Sequence, residues 1–364
     1  MKILIFAGGN GTRLWPVSRI STPKQFLKLF DNNTKCLFEL TIERLLKRFD
    51  IKDIIVVVPE YYKKDVMENY PLLSEDNIII EPTKWDTLAC VGYASFIVSK
   101  KYTEDNVFIC WSDHIIKDEE KFLDIIQAGD IYATEHRKII RLGAVANYPE
   151  TNFGYLKYIK TDKTRIDSLG IDIYGYGGHI EKPDIDKATE LFESGDYLWN
   201  MGYMIWPSGL ITDFYKKYSI ETFNILNTIL ENNIESDEIL ELYKKIKKTS
   251  IDFEILEKLD NSSNRVIPVD VSWNDVGDWR SLKSQLEDRQ LDNVYLHPID
   301  NILNINSVDT LVYSKDKNKE ICIVGLNDIA IVDTGDCLLV CSKKHSKELK
   351  QVVDILKDKK PELL

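Results

Sequence analysis

The feature that most constrains this chain is an alternation, in its N-terminal part, of continuous apolar runs with segments of helical spacing. Ile3–Phe6, Ile54–Val58, Ile78–Ile80 and Val107–Cys110 are rich in β-branched residues and lack polar alternation. Strands read this way when helices cover both faces of a mostly parallel sheet. Phe38, Leu45, Leu46 and Phe49 recur at helical spacing between two of these runs. The pattern predicts an α/β domain over residues 1–283, with Gly175, Gly177 and Gly178 marking a loop before Ile180. Beyond Arg289 the texture changes to short runs, Ile302–Ile305, Thr310–Tyr313, Ile321–Val324 and Ala330–Val332, separated by Asn, Asp and Gly turns. These predict a separate β module over 284–364, short enough to hide a few irregular solenoid coils. It closes with an amphipathic helix from Ser346 to Lys359 carrying Leu349, Val352, Val353 and Leu356 on one face.

Composition narrows the function. The 364 residues give room for about two domains, and 44% hydrophobic with 29% charged residues excludes a disordered or fibrous chain. With 47 Lys and Arg against 59 Asp and Glu, the net charge is −12. General nucleic-acid binding rests on cations neutralising phosphates, so no nucleic-acid partner is expected. An anionic ligand would need positive charge concentrated locally. The start, Met1 to Ala7, runs straight into glycines without the apolar core and cleavage site of a secretory signal. The longest uncharged stretch, between Asp196 and Asp213, holds Asn200, Pro207, Ser208 and two glycines and falls short of the ~18 apolar residues of a membrane span. A cytoplasmic chain with no membrane partner is expected. The six cysteines form no C-x-x-C pair, which predicts reduced thiols and neither a disulfide frame nor a zinc site.

The first strand runs into Ala7-Gly8-Gly9-Asn10-Gly11-Thr12-Arg13-Leu14. Glycines directly after a buried strand let backbone N–H groups approach a phosphate, and the same glycines also suit a plain tight turn. The third glycine of a dinucleotide fingerprint is missing, since position 14 is leucine, and the run is not a Walker loop either. Lys24, in Pro23-Lys24-Gln25-Phe26, supplies a second cation close to Arg13 in sequence. Asp113 follows the strand Val107–Cys110 at its carboxyl end, where open α/β sheets bind ligands. Asp275 lies in a Trp-rich turn. Taken singly, each aspartate also fits a turn or a helix cap. Trp199, Tyr203 and Trp206 fit a core better than a stacking platform.

These segments together resemble the sugar-1-phosphate nucleotidyltransferases. The glycine loop, Trp15-Pro16-Val17-Ser18-Arg19 and Lys24-Gln25-Phe26 are similar to the mannose-1-phosphate guanylyltransferase branch of that family. So are Ser112-Asp113-His114, Glu150-Thr151-Asn152-Phe153-Gly154-Tyr155, Glu181-Lys182-Pro183, Trp199-Asn200-Met201-Gly202, Ser250-Ile251-Asp252-Phe253 and Trp273 to Trp279. The C-terminal Val324 to Asp328 and Val332 to Asp336 extend the resemblance over nearly the whole chain.

The resemblance implies a Rossmann-like mixed-sheet catalytic domain followed by a small left-handed β-helix-like module, associating as a homodimer. It implies Mg²⁺-dependent transfer of GMP from GTP to mannose 1-phosphate, releasing pyrophosphate. Ala7, Gly8, Gly9, Gly11, Thr12, Arg13, Asp86, Thr87 and Ser112 would hold the nucleotide, and Lys24 would reach the reacting phosphates. Asp113 and Asp275 would bind the metal, and His114 would position or pack, because a sugar phosphate needs no general base. Gly154, Tyr155, Glu181, Lys182 and Asn200 would hold the sugar phosphate.

The chain departs from the family pattern at Trp85, Asp86 and Ala89, where Arg, Asn and Pro are usual, and at Trp111 in place of a proline. Asn152 and Met201 replace a glycine and a serine near the expected sugar. Asp86 can accept from a guanine edge or cap the helix starting at Thr87. Another base or sugar phosphate, such as a manno-heptose 1-phosphate, therefore stays open. So does a non-catalytic regulatory subunit, although such subunits tend to lose the Arg13, Lys24, Asp113 and Asp275 positions. A glycosyltransferase would need a D-x-D motif, which Asp270-Val271-Ser272 is not.

Overall fold

The computed structural model describes all residues except 10, 31–33, 232–234, 287–291 and 297, so Asn10 of the glycine loop and the change of texture at Arg289 lie outside the described residues. The chain forms two compact units, each discontinuous in sequence. The first comprises Met1–Gly8, Arg44–Trp111 and Ile116–Trp273; the second comprises Gly9–Glu43, Ser112–Ile115 and Asn274–Leu364.

The first unit is built on nine strands: β1 (Lys2–Phe6), β2 (Ile54–Pro59), β3 (Ile78–Glu81), β4 (Asn106–Trp111), β5 (Ile139–Val145), β6 (Tyr155–Ile166), β7 (Ile171–Ile180), β8 (Tyr197–Pro207) and β9 (Asn264–Val269). They form one sheet in the order β3-β2-β1-β4-β8-β5-β9-β7-β6. The four apolar runs read from the sequence are its parallel half, with β1 paired to β2 and β4, and β2 to β3. The other half is mixed: β8 runs antiparallel to β4 and β5, while β5 and β9 are parallel.

Helix boundaries follow local chemistry. Asp118 and Asp184 accept from Lys121 N and Lys187 N to start Glu119–His136 and Ile185–Ser194. Gly195, at φ 66, ends the second. Trp206 and Tyr203 are fully buried, as their core reading required, and Tyr203 packs against Phe108 and Phe122.

Two expectations are corrected here. Gly175, Gly177 and Gly178 lie within β7, not in a loop. A Cβ on Gly175 would stand 2.4 Å from Asp162 Oδ2, and one on Gly177 would stand 2.9 Å from the Lys157 side chain. The glycines let side chains of β6 cross over β7 where the pairing between these strands shifts register. Phe49 likewise falls beyond its helix, which spans Leu37–Leu46.

In the second unit, β10 (Val294–Leu296), β12 (Leu311–Ser314) and β14 (Ile329–Asp333) stack in parallel, as do β11 (Ile302–Ile305) and β13 (Ile321–Val324). Ile302 pairs with Ile321 and Leu311 with Ala330, so the coil returns after 19 residues. Left-handed residues recur at the same two places of each coil, Asn306 with Gly325 and Asp309 with Asp328. β15 (Leu338–Ser342) then pairs antiparallel with β14. Inside the turns, Lys343 Nζ binds Asp309 and Asp328, and Lys283 Nζ lies 2.9 Å from Asp309.

The core of this unit joins Leu14, Trp15 and Phe30 to Trp279, Leu311 and Val353. The last helix is Leu349–Lys359, entered from a 3-10 segment at Lys343–Glu348. Leu349 and Val353 are buried, Leu356 packs partly, and Val352 faces solvent, so the apolar face is narrower than its sequence spacing. Among the described residues no helix is long and apolar enough to cross a membrane, and all six cysteines are free thiols.

Candidate active site

In the second unit, three segments far apart in sequence meet on one lysine. Lys24 is 7% exposed, and its Nζ lies 2.7 Å from Asp113 Oδ2, 2.7 Å from the Asp275 carbonyl and 3.3 Å from the Val276 carbonyl. The Trp-rich turn is what aims those carbonyls. Asn274 Oδ1 accepts from Val276 N, Asp275 Oδ1 from Gly277 N, and Asp278 Oδ1 from Ser281 N. These successive side-chain turns fold the backbone tightly enough to hold Val276 at φ 45, which a β-branched residue rarely adopts. Trp279 anchors the turn by donating Nε1–H to the Trp15 carbonyl.

The glycine loop is shaped to the same lysine. Gly11 sits at φ 60, and a Cβ there would lie 2.3 Å from Lys24 Cβ, so only glycine lets the loop pass. Thr12 and Arg13 follow in a 3-10 turn, and nothing crowds Gly9. An Arg13 guanidinium nitrogen and both Asp275 carboxylate oxygens lie within 3.2 Å of one point, the Cβ position of Gly277. Arg13, Lys24, Asp113 and Asp275 thus come together, with Ser112 buried next to Asp113 in sequence. Burial pushes the Asp113 carboxyl up, but the Lys24 charge, followed by that of His114, wins and holds it below its ordinary value.

The remaining predicted residues lie in the first unit. Ala7 N donates to the Val57 carbonyl, and a Cβ on Gly8 would face Pro59 at 3.4 Å and Glu81 Oε2 at 3.8 Å. Asp86 accepts from Thr87 N and is the cap of Thr87–Lys101, while Thr87 Oγ1 accepts from Ile251 N. Of the two polar side chains expected at the base, Asp86 therefore serves the start of this helix and Thr87 the start of Ile251–Glu254.

On the sugar side, β7 ends at Ile180, and Glu181 receives His179 Nε2 at 3.1 Å and Lys182 Nζ at 2.8 Å. Burial opposes ionisation of Glu181, but hydrogen bonds from His179 and Lys182 outweigh it and hold its pKa at about 2. Asn200 N donates to the Gly154 carbonyl at 2.7 Å. Asn200 Oδ1 accepts from Gly202 N, and its amide donates to Asp252. Arg141, fully buried, donates to Asp252 and Tyr176 beneath this group. Tyr155 is fully buried, and its hydroxyl both accepts from Glu150 N and donates to the Glu150 carbonyl, so it braces the loop. Met201 is buried too, and Asn152 folds back onto Glu150. Trp111 donates to the Gly202 carbonyl, and Gly202 at φ 72 leaves room for its ring.

Sequence reasoning passed over Glu81, His179 and Arg141. Glu81 is 6% exposed and accepts from Tyr243 Oη and Trp85 N, and burial raises its pKa to about 7. Its signal was in plain view, a carboxylate closing an otherwise all-isoleucine strand. Arg141 similarly breaks an apolar run.

Residues 2–290 match the Nucleotidyl transferase family, and residues 300–356 match the MannoseP isomerase/GMP-like beta-helix domain. A mannose-1-phosphate guanylyltransferase of Salmonella muenchen is 30% identical over 362 residues, covering 97% of this chain and 73% of that protein. Its namesake in Escherichia coli K12 is 27% identical over the same shares. Among solved structures, a Thermus thermophilus protein described as a mannose-1-phosphate geranyltransferase superposes with a TM-score of 0.84 at 26% identity, covering 98% of this chain and 99% of that one.

Proposed function

Because this chain belongs to the nucleotidyl transferase family, we propose that it transfers GMP from GTP to mannose 1-phosphate, forming GDP-mannose and pyrophosphate. The observation that carries this reading is the convergence of Arg13, Lys24, Asp113 and Asp275. Joining a sugar phosphate to a nucleotide α-phosphate presses two anions together, and a preorganised cation lowers that repulsion. Lys24 is held by three oxygens, so its charge is fixed in place and can act on the reacting phosphates as a positioned cation. Arg13 and the glycine-loop amides take the departing phosphates.

The Asp113 and Asp275 carboxylates are hard oxygen donors, which suits Mg²⁺. Among the described residues no group of three or more His, Cys, Asp or Glu could hold a metal alone, so substrate phosphates and water would complete the shell. Held by Asp113 and Asp275, Mg²⁺ would neutralise and orient phosphate oxygens. Lys182 takes the sugar phosphate, and Glu181 and Asn200 take sugar hydroxyls. With Asp86 engaged as a cap, Glu81 beside Gly8 is the carboxylate assigned to the N1–H and N2–H₂ edge of guanine.

We place the reaction in the cytoplasm and the active form as a homodimer. Leu303, Ile305 and Val324 are each more than half exposed on paired strands β11 and β13, a face that suits a second copy of the chain. Pyrophosphate release across four nucleoside triphosphates and several sugar 1-phosphates tests the reaction; faster turnover with a base other than guanine, or a sugar other than mannose, overturns the substrate choice. Light scattering tests the dimer.

A further inference from the structure

Glu181 is gripped by two donors that differ in permanence. The Lys182 side chain is 62% exposed, whereas that of His179 is 1% exposed. On the proposed function, on which this inference rests, Lys182 turns to the incoming sugar phosphate and releases Glu181 Oε1. His179 then remains as the donor holding the carboxylate.

The ring's proton can be placed from its surroundings. His179 Nδ1 is buried and has no hydrogen-bond partner among the described residues. An imidazolium would strand an N–H donor there, whereas a neutral ring leaves only a weakly demanding acceptor. The proton therefore sits on Nε2 and is donated to Glu181 Oε2 across 3.1 Å. Gly154 makes the pairing possible, because a Cβ on it would stand 2.4 Å from both Glu181 Oε2 and His179 Nε2. That glycine also receives Asn200 N on its carbonyl, so one residue spaces both groups expected to read the sugar.

We propose that His179 is a positioning and specificity-determining residue: its Nε2–H fixes the Glu181 carboxylate as a pure acceptor, so this subsite selects sugars that donate a hydroxyl there and discriminates against deoxy sugars. With Oε2 still fed by His179 and Oε1 released by Lys182, the ionised Glu181 has only lone pairs to offer the sugar. A ligand lacking the matching hydroxyl leaves a half-buried carboxylate under-solvated, which is how a polar pocket rejects it.

The test compares His179→Leu with His179→Gln, whose amide can replace Nε2–H, using mannose 1-phosphate and its 2-deoxy and 3-deoxy analogues. His179→Leu is expected to raise KM for mannose 1-phosphate about tenfold, with kcat and KM for GTP nearly unchanged. His179→Gln restores most of the loss, and the penalty disappears with the deoxy analogue that lacks the recognised hydroxyl. Nitrogen NMR of the wild-type ring is expected to show a neutral Nε2–H tautomer.

An unchanged KM in His179→Leu, or an equal penalty with every analogue, overturns the inference while leaving the proposed reaction standing. Absence of pyrophosphate release by the wild type with every nucleotide and sugar phosphate sinks the reaction instead. The ring spectrum then decides the His179 pairing by itself, as it does if His179→Leu does not fold. An Nδ1–H tautomer or an imidazolium overturns it.

Discussion

Two carboxylates in this protein, Asp113 in the second unit and Glu181 in the first, are each flanked by a lysine and a histidine, and the partners exchange roles. Beside Asp113 the lysine is buried and in contact, at 2.7 Å, while His114 Nε2 stands back at 3.7 Å. Beside Glu181 the histidine is buried and bonded, and the lysine is mostly exposed. A buried full charge suits the place where phosphate repulsion must be met in the transition state. A buried neutral donor suits recognition, because it orients a carboxylate without neutralising it. The residue types alone do not distinguish the two cases; the burial of the lysine and the distance of the histidine do.

The sharpest break of this comparison is Lys24→Met against Lys182→Met. Lys24→Met should lower kcat by about 10²–10³-fold with a small change in KM for GTP, as steady-state pyrophosphate release would show. Asp113→Asn and Asp275→Asn should behave like it while unfolding cooperatively at a near-wild-type temperature. Gly154→Ala comes next, since its methyl must displace both His179 and Glu181. Sugar kcat/KM should fall about 30-fold or more, with KM for GTP unmoved. Lys182→Met should cost only about tenfold, in KM for the sugar phosphate.

Glu81 sharpens the point from the opposite side, being more deeply buried than Glu181 and feeling the Lys84 charge too weakly to offset that burial. Its folded pKa of about 7 lies above its ordinary 4.5. The unfolded chain therefore binds fewer protons between those values, and stability present below pH 4.5 is lost as pH rises through about 7. Glu81→Gln should unfold like the wild type near pH 4.5 and be more stable by about 3 kcal/mol at pH 8, measured by urea denaturation. Glu181 works in reverse: the stability it lends is present above pH 4.5 and is lost as pH falls toward about 2. The smallest expected effect is Asp86→Ala, about 1 kcal/mol from a lost helix cap. A larger loss of GTP affinity than of stability would return Asp86 to the base.

Much of the fold was legible because burial on both faces leaves a one-dimensional mark. The four apolar runs became the parallel half of the sheet, and the short C-terminal runs became stacked coils. The glycines of β7 misled because glycine marks a loop and a close strand approach alike, and only the crossing side chains of Asp162 and Lys157 tell them apart. Of the candidate site, the charged residues were legible through their motifs. The resemblance put Tyr155 among the sugar-binding residues and Met201 near the sugar; both are buried, and the Tyr155 hydroxyl braces the Glu150 loop.

What the sequence determined by itself was the inventory: the family, the strand pattern, and four charged residues, Arg13, Lys24, Asp113 and Asp275, that the structure brings together. What only the tertiary structure decided was which of those groups are held and by whom. Asn274, Asp275 and Asp278 fold a turn whose carbonyls grip a lysine about 250 positions earlier, and His179, silent in the sequence, feeds Glu181. The reason is that a hydrogen bond depends on distance and direction in space to within fractions of an ångström, and a burial cost depends on every neighbour at once. Neither is written along a chain until it has folded.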